Sequence, residues 1–375
     1  MSKSISTPSP LNLIMTRTIH PVGQGAFYSE IFKKNGDKYP FFTVVYDCGS
    51  DKKNATERYE QIKQFGKNVN LLFVSHFHDD HTNGIFDLLS SQSERCNIVI
   101  PGVTHCRFVV DLISMYIRSK SVGSPSIKFM LSCIPALKKP RTIAETVHAG
   151  SNFPGVICEH PASSKTYSVM ALSPITGHHV QIFEPSIHWY YDANYTEIDT
   201  SKEEQLIRGL SDIIPSLKTI LPDIVEYRDS DWYERLLLPE LTEDKFDEIG
   251  EIYTKVFGKS HHNDYSMIVH SHPESGITDK EMDCLYTGDI IIDDDLMDKI
   301  ITCHPHYIQV PHHGSPKNHR KEIYFRRQIA FISVGTGNTY GHPGKTVLMD
   351  LVQICPYIHV VTESTSTKFK RSFIL

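Results

Sequence analysis

The feature that most constrains this sequence is a cluster of histidines and aspartates that directly follows an apolar run. Residues 68–75 read NVNLLFVS, and the next six residues, HFHDDH, contain His76, His78, Asp79, Asp80 and His81. The apolar, β-prone run predicts a buried strand. The cluster is therefore expected at the carboxyl end of a strand, where the sites of α/β proteins usually lie.

Strand-like runs recur in both halves of the chain. Before the cluster, TIHPVGQGAFYSEIF and FFTVVYDCGS flank Asn35-Gly36, a pair typical of a hairpin turn. Towards the carboxyl end, similar runs are DYSMIVHSH, MDCLYTGDI, YIQVPHHGS, IAFISVG and YIHVVTES. Because helix-like segments separate many of these runs, the pattern predicts an α/β layered domain.

Two of the later strand-like runs also end in residue types that commonly bind metals in proteins. Asp289 follows LYTG, and His312 and His313 follow IQVP. Three strand ends that carry imidazole or carboxylate groups favour a catalytic site at a sheet edge. The eight cysteines are scattered and form no C-x-x-C pair. The expected ligands therefore suit zinc, manganese or iron without thiolates.

Acidic residues are concentrated in one segment. Residues 189–258 hold 17 Asp and Glu against 7 Lys and Arg, a net charge of −10 that leaves +4 for the rest of the chain. Leu206, Ile207 and Leu210 begin a helical pattern with one apolar face. We predict that 189–258 is an acidic helical insertion within a single domain of residues 1–375. It is expected to cover part of the site or to dock a protein partner, because its charge repels a phosphate backbone.

Hydrophobic patterning argues against a membrane protein. The sequence has no run of ~20 apolar residues and no apolar stretch near its amino end that suits a signal peptide. The expectation is a soluble, cytoplasmic protein without a membrane partner.

The sequence resembles the metallo-β-lactamase-fold superfamily, whose H-x-H-x-D-H motif is present as HFHDDH at residues 76–81. More narrowly, it resembles the metallo-hydrolase domain of ComEC-type DNA-uptake proteins through PVGQGAFYSEIF, NDYSMIV, YTGD, VPHHGS and VGTGNTYGHPGKTVL, in that order. The likeness covers most of residues 18–365, outside the acidic insertion and much of 104–165. It implies a four-layer αββα sandwich with a helical insertion. Ala26 replaces an acidic residue common in that group, and no membrane channel is present, so DNA import is not implied.

The resemblance further implies a centre with two divalent metal ions, either zinc or manganese. Its ligands would be His76 and His78 for one ion, Asp80, His81 and His312 for the other, and Asp289 as a bridge between them. His313 is the alternative to His312 as a ligand.

Catalytic roles are expected for Asp80, His313 and His342. Asp80 would orient the attacking hydroxide, His313 would contact the substrate or support the ligands, and His342 would lie at the rim of the site. The middle metal histidine of the superfamily has no clear counterpart, and six candidates remain: His105, His160, His178, His179, His261 and His262.

These residues leave three classes of function open. The first is a two-metal phosphodiesterase or nuclease that binds nucleic acid weakly through Lys317, Arg320, Arg326 and Arg327. The second is a hydrolase of the same fold that acts on a lactone, a thioester or a phosphocholine ester. The third is a regulatory binding protein with a residual metal site. The metal pair sets the nucleophile and the covering loops set the substrate, so the motif alone does not separate the first two.

Overall fold

The computed structural model of this chain describes residues 12–51, 55–65, 68–141, 146–149, 153–173, 179–194, 200–221, 226–258, 265–274 and 280–375. Its strands are β1 (Leu13–Ile19), β2 (Phe27–Lys34), β3 (Phe42–Cys48), β4 (Leu71–Phe73), β5 (Asn97–Pro101), β6 (Thr146–His148), β7 (Val156–Glu159), β8 (Thr166–Leu172), β9 (His179–Glu184), β10 (Trp189–Asn194), β11 (Ile268–Pro273), β12 (Cys284–Tyr286), β13 (Tyr307–Gln309), β14 (Ile329–Ser333), β15 (Tyr357–Val361) and β16 (Phe369–Ile374).

The α-helices are α1 (Ala55–Phe65), α2 (Asp79–Thr82), α3 (Ile85–Ser91), α4 (His105–Ser119), α5 (Pro125–Ser132), α6 (Ile134–Leu137), α7 (Ser201–Leu210), α8 (Ser230–Trp232), α9 (Phe246–Phe257), α10 (Asp294–Cys303) and α11 (Lys345–Ile354). A π-helical turn forms at Tyr233–Leu237. Short 3-10 helices form at Pro215–Thr219, Leu238–Glu240, Glu243–Lys245, Lys280–Met282, Lys321–Ile323 and Thr365–Thr367. Residues Pro311–Gly314 form a tight turn with non-helical residues inside it.

The first sheet has the strand order β16-β1-β2-β3-β4-β5-β8-β7. Strands β3, β4, β5 and β8 are parallel, whereas β16, β1 and β2 pair antiparallel. The sequences FTVVYDC of β3 and LLF of β4 are buried along their whole length, as is typical of central strands covered on both faces. Strand β4 immediately precedes the histidine cluster, so the predicted position of the cluster is confirmed.

The second sheet has the order β15-β14-β13-β12-β11-β10-β9-β6. Strands β12 to β15 run parallel, and β9, β10, β11 and β12 pair antiparallel. The strands that lead to Asp289 and His312 therefore lie side by side and end at the same edge of the sheet.

The two sheets pack face to face. Met15, Phe32, Trp189, Tyr286 and Phe331 belong to the buried cluster between them. On the outer face of the first sheet, α4 and α5 complete a second cluster, and α10 and α11 cover the outer face of the second sheet. The order of layers is helices, sheet, sheet, helices, so the predicted four-layer αββα fold is confirmed.

A buried ion pair lies between the sheets. The Nε and Nη2 atoms of Arg17 donate to Oε1 of Glu30 over 2.9 and 2.7 Å. The same carboxylate accepts hydrogen bonds from the hydroxyls of Ser271, Tyr286 and Tyr191 at 2.7, 2.9 and 3.2 Å. Because Glu30 belongs to the first sheet and the three hydroxyls to the second, this network fixes one sheet against the other.

The acidic segment begins with a strand, which corrects the prediction of a helical insertion from residue 189. Residues 189–194, WYYDAN, alternate buried and half-buried side chains and pair with β9 and β11. Alternation with a period of two is the mark of a strand with one buried face, and here that face packs between the sheets. The helical part starts at Ser201.

The helical part of the segment packs on α4. Leu206 and Ile207 belong to the same buried cluster as α4. Arg107 of α4 is fully buried, with its Nη1 atom 3.2 Å from Oε1 of Glu203 and its Nε atom 2.8 Å from Oδ1 of Asp111. The block is therefore continuous with the core of the first sheet. Among the described helices, none combines the length and the apolar character needed to traverse a lipid bilayer.

Candidate metal centre

Strand ends from both sheets meet at one edge of the sandwich. His76 and His78 follow β4 of the first sheet, whereas Asp289 follows β12 and His313 follows β13 of the second. All four side chains are almost completely buried. The structure therefore brings together the three segments that the sequence predicted to supply metal ligands.

Asp289 lies at the middle of this centre, and its two oxygens face different histidines. The Oδ1 atom is 3.2 Å from Nε2 of His81 and 3.8 Å from Nε2 of His313. The Oδ2 atom is 3.4 Å from Nε2 of His312 and 3.8 Å from Nε2 of His76. One carboxylate thus separates two groups of imidazoles.

The group at Oδ1 of Asp289 is the tighter one. One ligand atom each from Asp80, His81, Asp289 and His313 lies within 4.8 Å of the others. The Nε2 atom of His313 is 3.5 Å from Oδ2 of Asp80. Two imidazoles and two carboxylates at this spacing suit a divalent transition metal.

The group at Oδ2 of Asp289 contains the H-x-H pair. Nε2 of His76 and Nδ1 of His78 lie 3.1 Å apart. The Nε2 atom of His78 is buried and has no hydrogen-bond partner within the described residues. The nitrogens that face each other, Nε2 of His76 and Nδ1 of His78, are at a spacing that two ligands of one ion can have. The residues present therefore fit a second ion next to the first.

The backbone of residues 312–313 explains how two adjacent histidines both reach Asp289. His312 and His313 have φ angles of 48° and 54°, in the left-handed region that residues with a Cβ rarely adopt. The Nδ1 atom of His313 donates to the carbonyl of Ser333 over 2.8 Å, and Nδ1 of His312 lies 2.9 Å from Oδ1 of Asn318. Both Nε2 atoms are thereby directed at the carboxylate of Asp289. The grouping differs from the predicted one, because His313, and not His312, lies with Asp80 and His81.

A glycine is required immediately before Asp289. Gly288 has a φ of 56°, and a Cβ at this position would lie 2.1 Å from Oγ of Ser266 and 2.7 Å from Cβ of Ser75. The strand end that carries Asp289 thus packs directly against the strand end that carries the H-x-H pair.

Asp47 supports the centre and was not identified from the sequence. It is the penultimate residue of β3 and has a φ of 56°. Its Oδ2 atom accepts hydrogen bonds from Nδ1 of His81 at 2.8 Å and from Oγ of Ser75 at 2.7 Å. A buried carboxylate on the far nitrogen of a ligand histidine fixes its tautomer and orientation. The available signal was a single aspartate in the otherwise apolar run FFTVVYDC.

Burial and charge set the protonation of the centre. Burial lowers the pKa values of His76 and His78 well below the ordinary histidine value. Burial opposes ionisation of Asp80 and Asp289 as well, but the neighbouring histidines outweigh it and lower the pKa values of both carboxyls. For His81, burial is outweighed by Asp289 and Asp47, which raise its pKa. The ionised carboxylates and the neutral imidazoles of His76 and His78 are forms that bind metals, whereas a metal ion on His81 would have to displace a proton that its raised pKa retains.

The centre opens into a cavity of about 1190 Å³. Asp80, His312 and His342 line it, so the predicted position of His342 near the rim agrees with the structure. The rings of His312 and His342 lie 5.4 Å apart. No described residue of the acidic insertion lines this cavity, so the described part of that block does not cover the site.

Positive charge also borders the cavity. Arg58, Arg118 and Lys317 line it, and Nη1 of Arg118 lies 3.8 Å from Oδ1 of Asp80. Of the four cationic residues predicted to contact nucleic acid, Lys317 lines the cavity, whereas Arg320 pairs with Asp294 at 3.2 Å. Arg326 and Arg327 are not among the residues that line it.

The candidates for a middle metal histidine lie elsewhere. His105 has its Nε2 atom 2.7 Å from the hydroxyl of Tyr233, and His160 has its Nε2 atom 3.1 Å from Oγ of Ser90. Neither belongs to the described group of metal-ligand atoms around Asp289. His178, His261, His262 and the side chain of His179 lie outside the described residues.

A match to one protein-family model agrees with the motif at the centre. Residues 42–93, which include Asp47 and all of HFHDDH, match the family model described as the metallo-beta-lactamase superfamily. No curated protein matches the chain. A crystal structure of the metallo-β-lactamase MIM-1 from Novosphingobium pentaromativorans is similar at 9% sequence identity and a TM-score of 0.27. The alignment covers 82% of this chain and 79% of the MIM-1 chain. These matches give no support to the narrower likeness to ComEC-type proteins.

Proposed function

We propose that this chain, which carries a metallo-β-lactamase superfamily domain, is a metal-dependent hydrolase that cleaves phosphodiester bonds, with nucleic acid as the substrate class. The observation that carries this proposal is the position of Asp289, which presents one oxygen to each of two groups of histidines. A carboxylate shared in this way is what a two-metal hydrolytic site requires.

The residues that would hold the two ions are Asp80, His81 and His313 for one, His76, His78 and His312 for the other, and Asp289 for both. His312 would thus stand where the middle histidine of the superfamily has no clear counterpart. When bound, two divalent ions lower the pKa of water towards neutrality and stabilise the charge that develops in a displacement at phosphorus.

Two further side chains would assist the reaction. Asp80 borders the cavity, and its lowered pKa keeps it ionised, so it can accept a hydrogen bond from the attacking water. Burial lowers the pKa of His342 to about 4. His342 is therefore neutral at pH 7, and its N–H can donate a hydrogen bond to the leaving oxygen.

The cations of the cavity support an anionic substrate. Arg118 is placed to contact a phosphate oxygen because its guanidinium lies beside Asp80 at the edge of the centre. Lys317 adds a second positive charge to the wall. A guanidinium binds phosphate through charge-assisted hydrogen bonds, whereas a neutral lactone or thioester would make no ionic contact with these charges.

The experiment is metal analysis coupled to hydrolysis. The purified protein, loaded with zinc or with manganese, is assayed at low salt against single-stranded DNA, duplex DNA, RNA and bis(p-nitrophenyl) phosphate, because phosphate contacts weaken steeply with salt. The double variant His76→Ala/His78→Ala should lose hydrolysis, while the exposed-site variant His304→Asn should retain it. Activity that survives the double change or excess chelator would come from a contaminant.

Two other results would replace the proposal. Hydrolysis of lactones, thioesters or phosphocholine esters without phosphodiester cleavage would assign the chain to the second class of hydrolase. Metal binding without any hydrolysis would favour the regulatory binding protein. We further propose that the protein is cytoplasmic and that the acidic insertion docks a protein partner through its exposed face.

A further inference from the structure

A second group of metal-ligand residues lies on the outer face of the second sheet. One ligand atom each from Asp192, His270 and His272 lies within 4.8 Å of the other two. Asp192 is on β10, and both histidines are on β11. The inner faces of β10 and β11 point into the core between the sheets, so this group is separate from the centre around Asp289.

Strand register explains why the three side chains meet. Asp192 is directly opposite His270 in the antiparallel pair β10–β11, and His272 is two residues further along the same strand and hence on the same face. Directly opposite residues have Cβ atoms about 5 Å apart, and diagonal neighbours lie within reach of long side chains. An H-x-H pair on one strand with a carboxylate across from it therefore forms a three-ligand set on rigid backbone.

Neighbouring groups hold this set in position. The Oδ2 atom of Asp192 is 3.0 Å from Nε2 of His272, and its Oδ1 atom accepts a hydrogen bond from Nε2 of Gln181 at 2.9 Å. The Nδ1 atom of His272 lies 2.9 Å from the carbonyl of Pro273. The carbonyl accepts the Nδ1 proton, so loss of the proton on Nε2 would leave the lone pair on Nε2, as in metal-bound histidines.

His270 is oriented in a similar way. Its Nε2 atom lies 3.1 Å from Oδ2 of Asp283, which is buried at the start of β12, and its ring stacks on that of His272 at 4.7 Å. All three members of the set are half-buried. An ion could therefore enter from solvent, while the side chains have little freedom to lose on binding.

We propose that Asp192, His270 and His272 bind one divalent transition metal ion of the zinc class, in addition to the ions of the centre around Asp289. Two imidazoles and one carboxylate leave a tetrahedral position for water. Binding would displace the proton that His272 shares with Asp192.

The position of this site suggests what the ion would stabilise. Strand β10 leads into the helical part of the acidic insertion, and β11 follows the insertion in the chain. An ion coordinated by residues of both strands would hold β10 and β11 together on either side of the helical part in the sequence. Because such an ion binds the folded chain and not the unfolded one, it would raise the stability of that region.

The test counts metal ions in the full-length protein. Wild type and the double variant His270→Ala/His272→Ala are titrated with zinc and analysed for bound metal after gel filtration. We expect the variant to bind one equivalent less than wild type. The control His188→Asn should match wild type, because His188 pairs with Glu274 at 2.8 Å and lies outside the group.

A second variant protects the test against misfolding. Asp192→Asn removes a ligand charge while keeping the shape of the side chain, and it should lower zinc affinity at this site at least tenfold. Cobalt titration, followed by its visible spectrum, should show the same loss of one equivalent. Equal metal counts in wild type and both variants would overturn the proposal and leave only hydrogen-bonded pairs here. The difference of one ion does not depend on whether the centre around Asp289 binds metal or cleaves phosphodiesters, so the two proposals fail separately.

Discussion

The Oδ2 atom of Asp47 accepts a hydrogen bond from Nδ1 of His81 over 2.8 Å. Both side chains are completely buried, and the other ring nitrogen of His81 points at Asp289 from 3.2 Å. The carboxylate therefore places the proton of the imidazole on Nδ1 and leaves Nε2 for a metal. Asp47 acts on the centre through His81 and does not itself reach the cavity.

We predict that Asp47→Asn weakens the binding of one metal ion by about 10- to 100-fold, because the amide lacks the charge that orients and polarises His81. Competition with a chromophoric chelator measures the affinity. Asp37→Asn, at an exposed turn, is the matched control and should bind metal as wild type does. An unchanged affinity in Asp47→Asn would show that the hydrogen bond has only a structural role.

The position of Asp289 between two groups of histidines leads to a second prediction. Asp289→Ala should reduce the content of both metal ions, because each oxygen of this carboxylate faces one group of histidines. His76→Ala should affect mainly the group at Oδ2. Elemental analysis after equilibration with limiting zinc separates the two outcomes. Equal metal content in wild type and Asp289→Ala would contradict a shared ligand.

The ligand-bearing strand ends could be predicted from the sequence, and the details of their arrangement could not. Apolar runs that stop at His76, Asp289 and His312 are a local signal, because the sites of α/β proteins usually lie at the carboxyl ends of strands. Which oxygen of Asp289 each of His312 and His313 faces depends on the left-handed backbone conformation of both residues. No local sequence pattern predicts that conformation for a pair of histidines. The sequence therefore could not show which of the two lies with Asp80 and His81.

The start of the acidic block was misread for a related reason. Its charge and its later helical periodicity extended the helical prediction back over residues 189–194, where the period is two and the segment is a strand. Over these six residues, the alternation of apolar and polar side chains is a better guide to secondary structure than the charge of the whole segment. The link between Glu203 and Arg107 is also invisible in the sequence, because the two residues are 96 positions apart.

This buried pair gives a third prediction. Glu203→Ala should lower the free energy of unfolding by about 3 kcal/mol, because removing one partner leaves the buried charge of Arg107 less compensated. The adjacent Glu204 pairs at 3.9 Å with the exposed Arg208, so Glu204→Ala should change stability by less than about 0.5 kcal/mol. Urea denaturation of the two variants gives the comparison. Similar losses in both would show that the block is only loosely joined to α4.

His20 supplies a prediction about pH. Burial, together with the positive charge of Lys368, lowers its pKa to about 3, whereas an unfolded histidine titrates near 6.5. Below pH ~6.5 the unfolded state binds a proton that the folded state excludes, so stability falls as the pH decreases from about 6.5 to about 3. The contribution of this residue is at most about 1.4 kcal/mol per pH unit.

His20→Gln removes that titration and should make stability fall less steeply between pH 6.5 and 4. The amide can still meet the hydroxyl of Ser29, which lies 2.8 Å from Nε2 of His20. Denaturation at a series of pH values measures the slope, and His304→Asn, at an exposed histidine, should leave the slope unchanged. A slope in His20→Gln equal to that of wild type would mean that His20 is already protonated in the folded protein.

The last prediction concerns Arg118 and depends on the proposed phosphodiesterase activity. Its guanidinium lines the cavity 3.8 Å from Asp80, at the end of α4, where a substrate phosphate would approach the centre. A hydrogen bond to a charged group contributes about 1.5–3 kcal/mol. Arg118→Ala should therefore raise KM for a phosphodiester by at least tenfold, and Arg118→Lys should recover part of that loss because the charge remains.

Arg208→Ala, on the exposed face of α7, is the control and should leave KM unchanged. Steady-state kinetics at two salt concentrations make the test specific, since the KM of wild type should rise with salt more steeply than that of Arg118→Ala. If Arg118→Ala kept the wild-type KM and the same salt dependence, the substrate would bind without this guanidinium, and the case for an anionic substrate would rest on Lys317 and Arg58 alone.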